Sequence, residues 1–122
     1  MTKTQALFKF FNSFDINAYP NTAVPDDVIF PYMTYEVKTG AFDSGPVAIG
    51  LSIWYHTDSE SIPNAKVEEI SKAIGLGGKS VRCDDGIIWI KKGDPFCINQ
   101  NTQNDNSTKL RFINLMLEFI TL

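Results

Sequence analysis

The chain has 122 residues, a length that accommodates one domain built around a single hydrophobic core. Hydrophobic residues make up 43% of the sequence and charged residues 20%, which is the balance of an ordinary globular protein. Fourteen acidic residues against eleven basic ones give a formal net charge of −3. The chain therefore lacks the excess of positive charge with which proteins bind nucleic acid through its phosphates. No apolar run approaches the roughly 20 residues of a membrane-spanning helix.

Segment 2–14 has apolar residues at helical spacing, and Thr2 or Thr4 can cap its start. We predict a helix of the mature protein that packs on a sheet through one stripe: Ala6, Leu7, Phe10, Phe11 and Phe14. A short strand at 16–19 and an irregular stretch around Pro25 follow. Residues 31–39 alternate in polarity, which predicts a strand. The loop 40–46 then leads back into the next strand, and we predict an antiparallel hairpin.

The stretch 46–96 predicts a strand, a helix and two further strands, around which the rest of the chain packs. Residues 47–56 alternate between an apolar and a more polar face, as in a strand with one face on a core. Residues 62–74 have helical periodicity, with Pro63 in the first turn and Gly75 and Gly77 at the end. The turn Asp84-Asp85-Gly86 then precedes a strand at 87–90.

The C-terminal part combines a polar segment with an apolar one. Residues 91–95 predict a turn, and 99–108 contain no apolar side chain, so we expect a solvated loop or a disordered excursion there. Residues 110–122 predict a strand at the centre of a sheet. Both of its faces are partly apolar, which indicates that helices cover one face and another chain covers the other.

Few residues offer chemistry. His56 is the only histidine, and no serine lies in a nucleophile motif, so a surface histidine is the favoured interpretation. A disulfide between Cys83 and Cys97 is conceivable, but reduced thiols are expected in a protein without a secretion signal. The two cysteines and the single histidine exclude an ordinary four-ligand zinc site of Cys and His.

Two other motifs have structural explanations. Residues 75–80 (GLGGKS) end like a phosphate-binding loop, but their glycines close a helix instead of opening one, so we predict a helix C-cap. The acidic pairs Asp26-Asp27 and Asp84-Asp85 each adjoin a turn-forming Pro or Gly. We therefore expect no catalytic residue, no cofactor and no metal site.

The chain resembles the tail-terminator (tail-completion) proteins of long-tailed bacteriophages and prophages, a family of small tail components. The likeness covers nearly the whole chain and rests on the order and spacing of its segments. They are the first helix, Ala18-Tyr19-Pro20, Phe30-Pro31-Tyr32-Met33-Thr34-Tyr35, the strand ending Trp54-Tyr55, the helix 64–75, Gly86-Ile87-Ile88-Trp89-Ile90-Lys91-Lys92-Gly93 with Pro95-Phe96, and the strand 111–121.

The resemblance implies an α+β domain that is not an enzyme, with a mixed or mainly antiparallel sheet of five to six strands and two helices on one face. Six copies would form a ring that caps the tail tube and joins it to the head connector. Its partners would be further copies of itself, the tail tube protein and the connector protein. DNA would pass through the lumen without specific binding, no membrane is involved, and the protein would reside in the virion after assembly in the host cytoplasm.

Loops are the expected contact regions of such a ring. Candidate contacts with a neighbouring copy or the tube are Phe42, Asp43, Trp54, Gln100 and Asn104. Candidate acidic residues of the lumen are Asp58, Glu60, Asp84 and Asp85, with Asp43 as a further loop acid. Two alternatives stay open: a head-completion or adaptor protein of the neck, and a small ligand-binding α+β domain with a pocket around Trp54 and His56.

Overall fold

The computed structural model describes residues 1–102 and 105–122, and the side chains of residues 1–100 and 107–122. This part of the chain forms two helices on one side of a curled, six-stranded sheet, so the predicted α+β architecture is confirmed. The elements are α1 (Lys3–Phe11), β1 (Asn17–Pro20), β2 (Tyr32–Tyr35), β3 (Val47–His56), α2 (Ser61–Ile74), β4 (Lys79–Cys83), β5 (Gly86–Thr102) and β6 (Asp105–Thr121).

The strand order across the sheet is β1-β2-β3-β6-β5-β4. Only β1 and β2 are parallel, and every other pair is antiparallel, including the predicted hairpin of β2 and β3. Residues that lie opposite each other share a face, so the register aligns Tyr35, Leu51, Ile113 and Cys97 in one row under the helices. The C-terminal strand β6 thus lies at the centre of the sheet, as predicted.

Helix α1 forms where its capping residues and its apolar stripe predict it. Thr2 caps the helix, with its Oγ1 accepting from the amide of Gln5 while the Gln5 side chain accepts from the amide of Thr2. A 3₁₀ turn (Asn12–Phe14) continues the helix, so the predicted span 2–14 is nearly recovered. The whole predicted stripe is buried: Ala6, Leu7, Phe10, Phe11 and Phe14.

Helix α2 begins and ends within one residue of the predicted bounds. Pro63, Val67, Ile70 and Ile74 are buried against the sheet, and Gly75 ends the helix with φ 75°. The segment that resembles a phosphate loop is therefore a helix end that leads into β4, as predicted. At its N-terminus the Ser59 hydroxyl accepts from the Ile62 amide at 3.4 Å, whereas the Glu60 side chain does not cap the helix and accepts from Arg111.

Three predicted spans are wrong. The strand expected at 31–39 is shorter, since β2 covers only Tyr32–Tyr35. The turn expected at 91–95 and the loop expected at 99–108 belong largely to β5 and β6. Between Lys92 and Cys97 the register shifts, so that β5 advances five positions while β6 advances two, from Leu115 to Ile113. The turn-like residues Gly93 and Pro95 thus make a bulge inside the strand, where the Asn114 Nδ2 donates to the Pro95 carbonyl at 2.9 Å.

The polar segment is a strand because its backbone forms hydrogen bonds with a neighbouring strand, and this pairing does not require buried apolar side chains. Residues 98–101 lie opposite residues 109–112, whose positions are fixed by β3 on the other side of β6. A strand anchored in this way continues its ladder into solvent without an apolar side chain. The prediction of a loop was based on side-chain polarity alone, and polarity does not indicate which strand lies beside the segment.

Candidate interaction surfaces

The sheet has one face without helices, which we call the open face. It consists of the side chains that alternate with the core residues. Ile98 on this face is 40% exposed, and its other large apolar members are half-buried in the single chain: Tyr32, Trp54, Ile87, Trp89, Leu110, Phe112, Met116 and Ile120. Their chemistry is that of a surface that can be covered by another protein. The observation agrees with the two partly apolar faces predicted for β6.

An aromatic cluster occupies one end of the open face. Tyr32 and Trp54 lie opposite each other on β2 and β3, and their rings stack with centroids 6.1 Å apart and planes 13° from parallel. Phe30 packs edge-on against Tyr32 at 5.3 Å and lies 5.7 Å from the ring of His56. The Trp54 indole donates to the Thr34 hydroxyl at 3.4 Å. The cluster is a platform of rings and not an enclosed pocket.

The centre of the open face depends on a glycine. The Phe112 ring lies over Gly50, where an added Cβ would be 2.7 Å from the Phe112 Cζ. The carboxylate of Glu36 accepts from the Gly50 amide at 2.5 Å. Gly50 thus lets Phe112 lie flat across two strands, which keeps this part of the face smooth.

The far end of the open face is more polar. Lys91 pairs with Glu118 at 3.2 Å and lies 4.3 Å from the centre of the Trp89 ring. The Trp89 indole donates to the carbonyl of Gly77 at 2.9 Å, which ties this end to the loop after α2. The open face therefore has an aromatic cluster at one end and an ion pair beside Trp89 at the other.

The part of the β5–β6 hairpin beyond the register shift is called the arm. It consists of residues 97–102 of β5 and residues 105–113 of β6. Its base contains a group of polar side chains on the helix side, the arm-root cluster: Glu60, Asn64, Lys109 and Arg111. Arg111 is completely buried and Lys109 is nearly so. The Glu60 carboxylate bridges them, with Oε2 2.5 Å from the Arg111 Nη2 and Oε1 3.6 Å from the Lys109 Nζ.

The arm-root cluster joins the start of α2 to the arm. Arg111 Nε also donates to the Asn64 side chain at 3.0 Å, so two residues of the α2 region hold one guanidinium. This hydrogen bond with Arg111 is the main reason why the pKa of Glu60 is lowered, with a smaller contribution from Lys109. The carboxylate remains ionised at neutral pH and compensates two cations that are withdrawn from water.

The sequence did not single out Lys109 and Arg111. Both continue the odd-numbered, core-facing positions of β6 past Ile113, and this alternation is the signal that could have placed them under the helices. A buried cation needs an anionic partner, and a sequence does not show which acid supplies it.

The structure places the predicted contact residues in three regions. Phe42 packs on its own core, 4.1 Å below the Lys3 ammonium, and Asp43 accepts from the amide and hydroxyl of Thr121 at the end of β6. Trp54 belongs to the aromatic cluster, and Gln100 is exposed on the arm. Asn104 lies outside the described residues. A role in contacts between chains stays a prediction for each of them.

The predicted lumen acids lie at opposite ends of the sheet. Asp58 and Glu60 follow the end of β3, near Thr108, whereas Asp84 and Asp85 lie in the β4–β5 turn beside Thr121 and Leu122. Thirteen steps along the strand lead from Thr108 to Thr121, which corresponds to roughly 40 Å along β6. One copy therefore cannot bring all four carboxylates together in one cluster.

The two cysteines are far apart in the fold. Cys83 lies opposite Gly86, which pairs with Thr121, whereas Cys97 lies opposite Ile113. The eight steps along the strand from Ile113 to Thr121 span about 27 Å, and a disulfide needs Cα atoms within about 7 Å. The conceivable Cys83–Cys97 bond is therefore excluded within one chain. Both thiols are free and half-buried, and burial raises the pKa of each.

A groove and the single histidine lie in different parts of the molecule. A groove of about 1060 Å³ runs along the outer side of α1, where Leu7, Phe8, Pro20 and Val37 make its wall mostly apolar. His56 is exposed at the edge of the aromatic cluster, remote from this groove. Among the residues whose side chains are described, no three His, Cys, Asp or Glu side chains come together as metal ligands.

Comparisons with known proteins give no relative for this chain. Neither a scan against protein-family models nor a search of curated proteins found a match. In the described part of the chain, neither helix has the length and apolar character needed to cross a membrane.

Proposed function

We propose that the protein is a structural component of a long-tailed bacteriophage or prophage tail, in which a ring of copies, expected to be six, closes the tail tube and joins it to the head connector. The observation that carries this proposal is the open face. A ring requires a heterologous contact, in which one surface of a copy meets a different surface of the next. A half-buried apolar sheet face in an otherwise helix-covered domain is suited to that contact.

Further features support the proposal. The α+β fold and the order of its elements agree with those that the resemblance to tail-terminator proteins implies. The arm has an outer side without a neighbouring strand in the described residues, and exposed acids lie at both ends of the sheet. In a ring around DNA, such acids would repel phosphate and leave the lumen free of tight contacts.

The test compares the free protein with the protein mixed with polymerised tail-tube protein of the same virus, by native mass spectrometry and electron microscopy. We expect a hexameric ring in at least one condition, located at tube ends. Met116→Glu should weaken the ring, because it puts a charge at the centre of the open face. Leu76→Glu is the matched control, since Leu76 is fully exposed on the loop after α2.

The outcomes separate the candidate functions. A wild-type protein that stays monomeric and does not bind the tubes would contradict the proposal and favour a neck adaptor or a ligand-binding domain. The apolar groove beside α1 is the observation that favours the ligand-binding alternative, and it would then be the place to search for a small apolar ligand. A ring that persists in Met116→Glu would remove the open face from the interface.

A further inference from the structure

The sheet has backbone edges that are not paired with another strand of the chain. These edges differ in whether their backbone groups are available to pair with a further strand. At β1, the side-chain amide of Asn12 occupies the outward backbone groups of Ala18, accepting from its N–H at 2.9 Å and donating to its carbonyl at 3.2 Å. Pro20 at the end of the strand has no N–H to offer. The strand is also only four residues long, so this margin is closed to a pairing partner.

The opposite margin is protected in another way. Strand β4 has five residues, of which Lys79 and Arg82 are exposed and positively charged. The amide of Asp84, just beyond the strand, donates to the Met1 carbonyl at 2.6 Å. Charged side chains and short length are the means by which natural sheets prevent pairing at their edges.

The outer side of the arm has no such protection. Strand β4 pairs with β5 only up to Ile90, so among the described residues β5 has no strand on its outer side from residue 91 to residue 102. After Pro95, residues 96–102 (FCINQNT) contain neither a charge nor a proline. Ile98 is 40% exposed, and Asn99 and Gln100 are exposed.

The inner side of the arm is occupied for most of its length. Strand β3 pairs with β6 as far as Thr108, and the amide of Thr57 donates to the Ser107 carbonyl at 2.6 Å. The outer side of β5 is therefore the one long backbone margin that the described residues leave open. We call it the arm margin and define it as residues 96–102.

We propose that two copies of this chain pair through the arm margin, with β5 of each copy antiparallel to β5 of the other around a two-fold axis near Asn99. Because the same margin is used on both sides, the contact is isologous and closes at two copies. Ile98 then lies opposite Gln100 of the second copy, and no like charges meet across the axis.

The arrangement has room on the sheet. Around an axis at Asn99, residue 102 of one copy lies beside residue 96 of the other. The arm of each copy therefore ends before it reaches the level of Ile90 in the other copy, where the pairing of β5 with β4 begins. The gap left by the short β4 is thus long enough to receive the opposing arm. The ladder of seven residues per copy spans about 23 Å, which predicts a dimer that dissociates on dilution.

This dimer does not depend on the proposed ring. A ring uses head-to-tail contacts, whereas the arm margin makes a two-fold contact, so each can fail while the other holds. The first measurement is the mass of the purified protein by light scattering across a dilution series. We expect dimers at high concentration and monomers at low concentration.

A charge variant identifies the surface. Gln100→Lys should abolish the dimer, because lysine on a sheet edge disfavours pairing, and should leave the thermal midpoint unchanged because Gln100 is exposed. Ser80→Lys is the matched control, since it adds the same charge to the exposed margin of β4 and should leave the dimer intact. A dimer that survives Gln100→Lys would overturn the proposal, as would a wild-type protein that is monomeric at every concentration.

Cross-linking tests the axis itself. In a background with Cys83→Ser and Cys97→Ser, Asn99→Cys should form a disulfide-linked dimer on mild oxidation, because a two-fold axis puts this residue next to its own copy. Ser80→Cys in the same background should stay monomeric on a non-reducing gel. Equal cross-linking at both positions would show random collision and contradict the register. If the Gln100→Lys variant still forms rings on tail tubes, the proposed function is supported independently of the result for the dimer.

Discussion

The two halves of the β5–β6 hairpin are held by different forces. The lower half, residues 86–92 with 115–121, lies between β3 and β4 and buries Ile88, Ile90, Leu115 and Leu117 under the helices. The upper half, the arm, has no strand on its outer side in the described residues and owes its position to the backbone ladder and to the arm-root cluster. Apolar burial fixes the first half, whereas pairing and buried charge fix the second beyond Ile113, the buried apolar residue at its base.

The difference explains how one element serves both the core and the surface. The lower half cannot move without opening the core, because the side chains of the lower half fill part of that core. The arm can exchange its outer neighbour, water, for another strand without disturbing a buried apolar residue. We therefore expect changes in the lower half to act on stability, and changes in the arm to act on association.

The largest effect should come from the lower half. Leu117→Ala removes a completely buried side chain and should lower the free energy of unfolding by about 2–5 kcal/mol. Gln100→Ala is the control in the arm and should change it by no more than about 0.5 kcal/mol. Urea denaturation followed by tryptophan fluorescence measures both. Similar losses in the two variants would show that the halves are not distinct.

An intermediate effect is expected at the arm-root cluster. Glu60→Gln leaves the buried cations Arg111 and Lys109 without the carboxylate that bridges them, whereas Arg111→Met removes one buried cation and leaves Glu60 with access to water. We expect Glu60→Gln to lower the denaturation midpoint more than Arg111→Met does. Hydrogen exchange at residues 107–113 should also accelerate more in Glu60→Gln. The reverse order would mean that Arg111 contributes chiefly through packing.

The smallest effect concerns acid stability. The pKa of Glu60 is lowered by Arg111, and the pKa of Asp43 is lowered by its hydrogen bonds with the side chain and backbone of Thr121. Each carboxylate therefore stabilises the fold above its unfolded pKa, near 4, and this stabilisation is lost as the pH falls through the lower folded value. Asp43→Asn and Glu60→Gln should each make stability depend less on pH between about 5 and 2. An unchanged slope in denaturation midpoints would contradict the assigned contacts.

The predictable parts of the fold are those in which local pattern and burial coincide. The stripe of α1, the alternation of β3 and the glycine after α2 each identified their element, because the core faces them in a regular period. The half-covered state of β6 was also predictable, since both of its faces carry apolar residues. The arm was not, because residues 98–101 gain their structure from a partner strand that is close in space but carries no local signal.

The candidate surfaces divide in the same way. Trp54 and Gln100 were predicted as contacts and lie on exposed or half-buried surfaces, whereas Phe42 is used within its own chain. The separation of Asp58 and Glu60 from Asp84 and Asp85 depends on the antiparallel register of β3, β6 and β5, which no sequence spacing reveals.

By itself, the sequence determined the class of the fold, the helices with their core stripes, and a sheet with more apolar surface than one layer of helices covers. Periodicity and chain length are local properties, and they suffice for these features. Only the tertiary structure decided that the polar segment is a paired arm, that Arg111 and Lys109 share the Glu60 carboxylate, and that the described residues leave the outer side of β5 open beyond Ile90. Each of these depends on which strand lies beside which, and that choice is made by the packing of the whole chain.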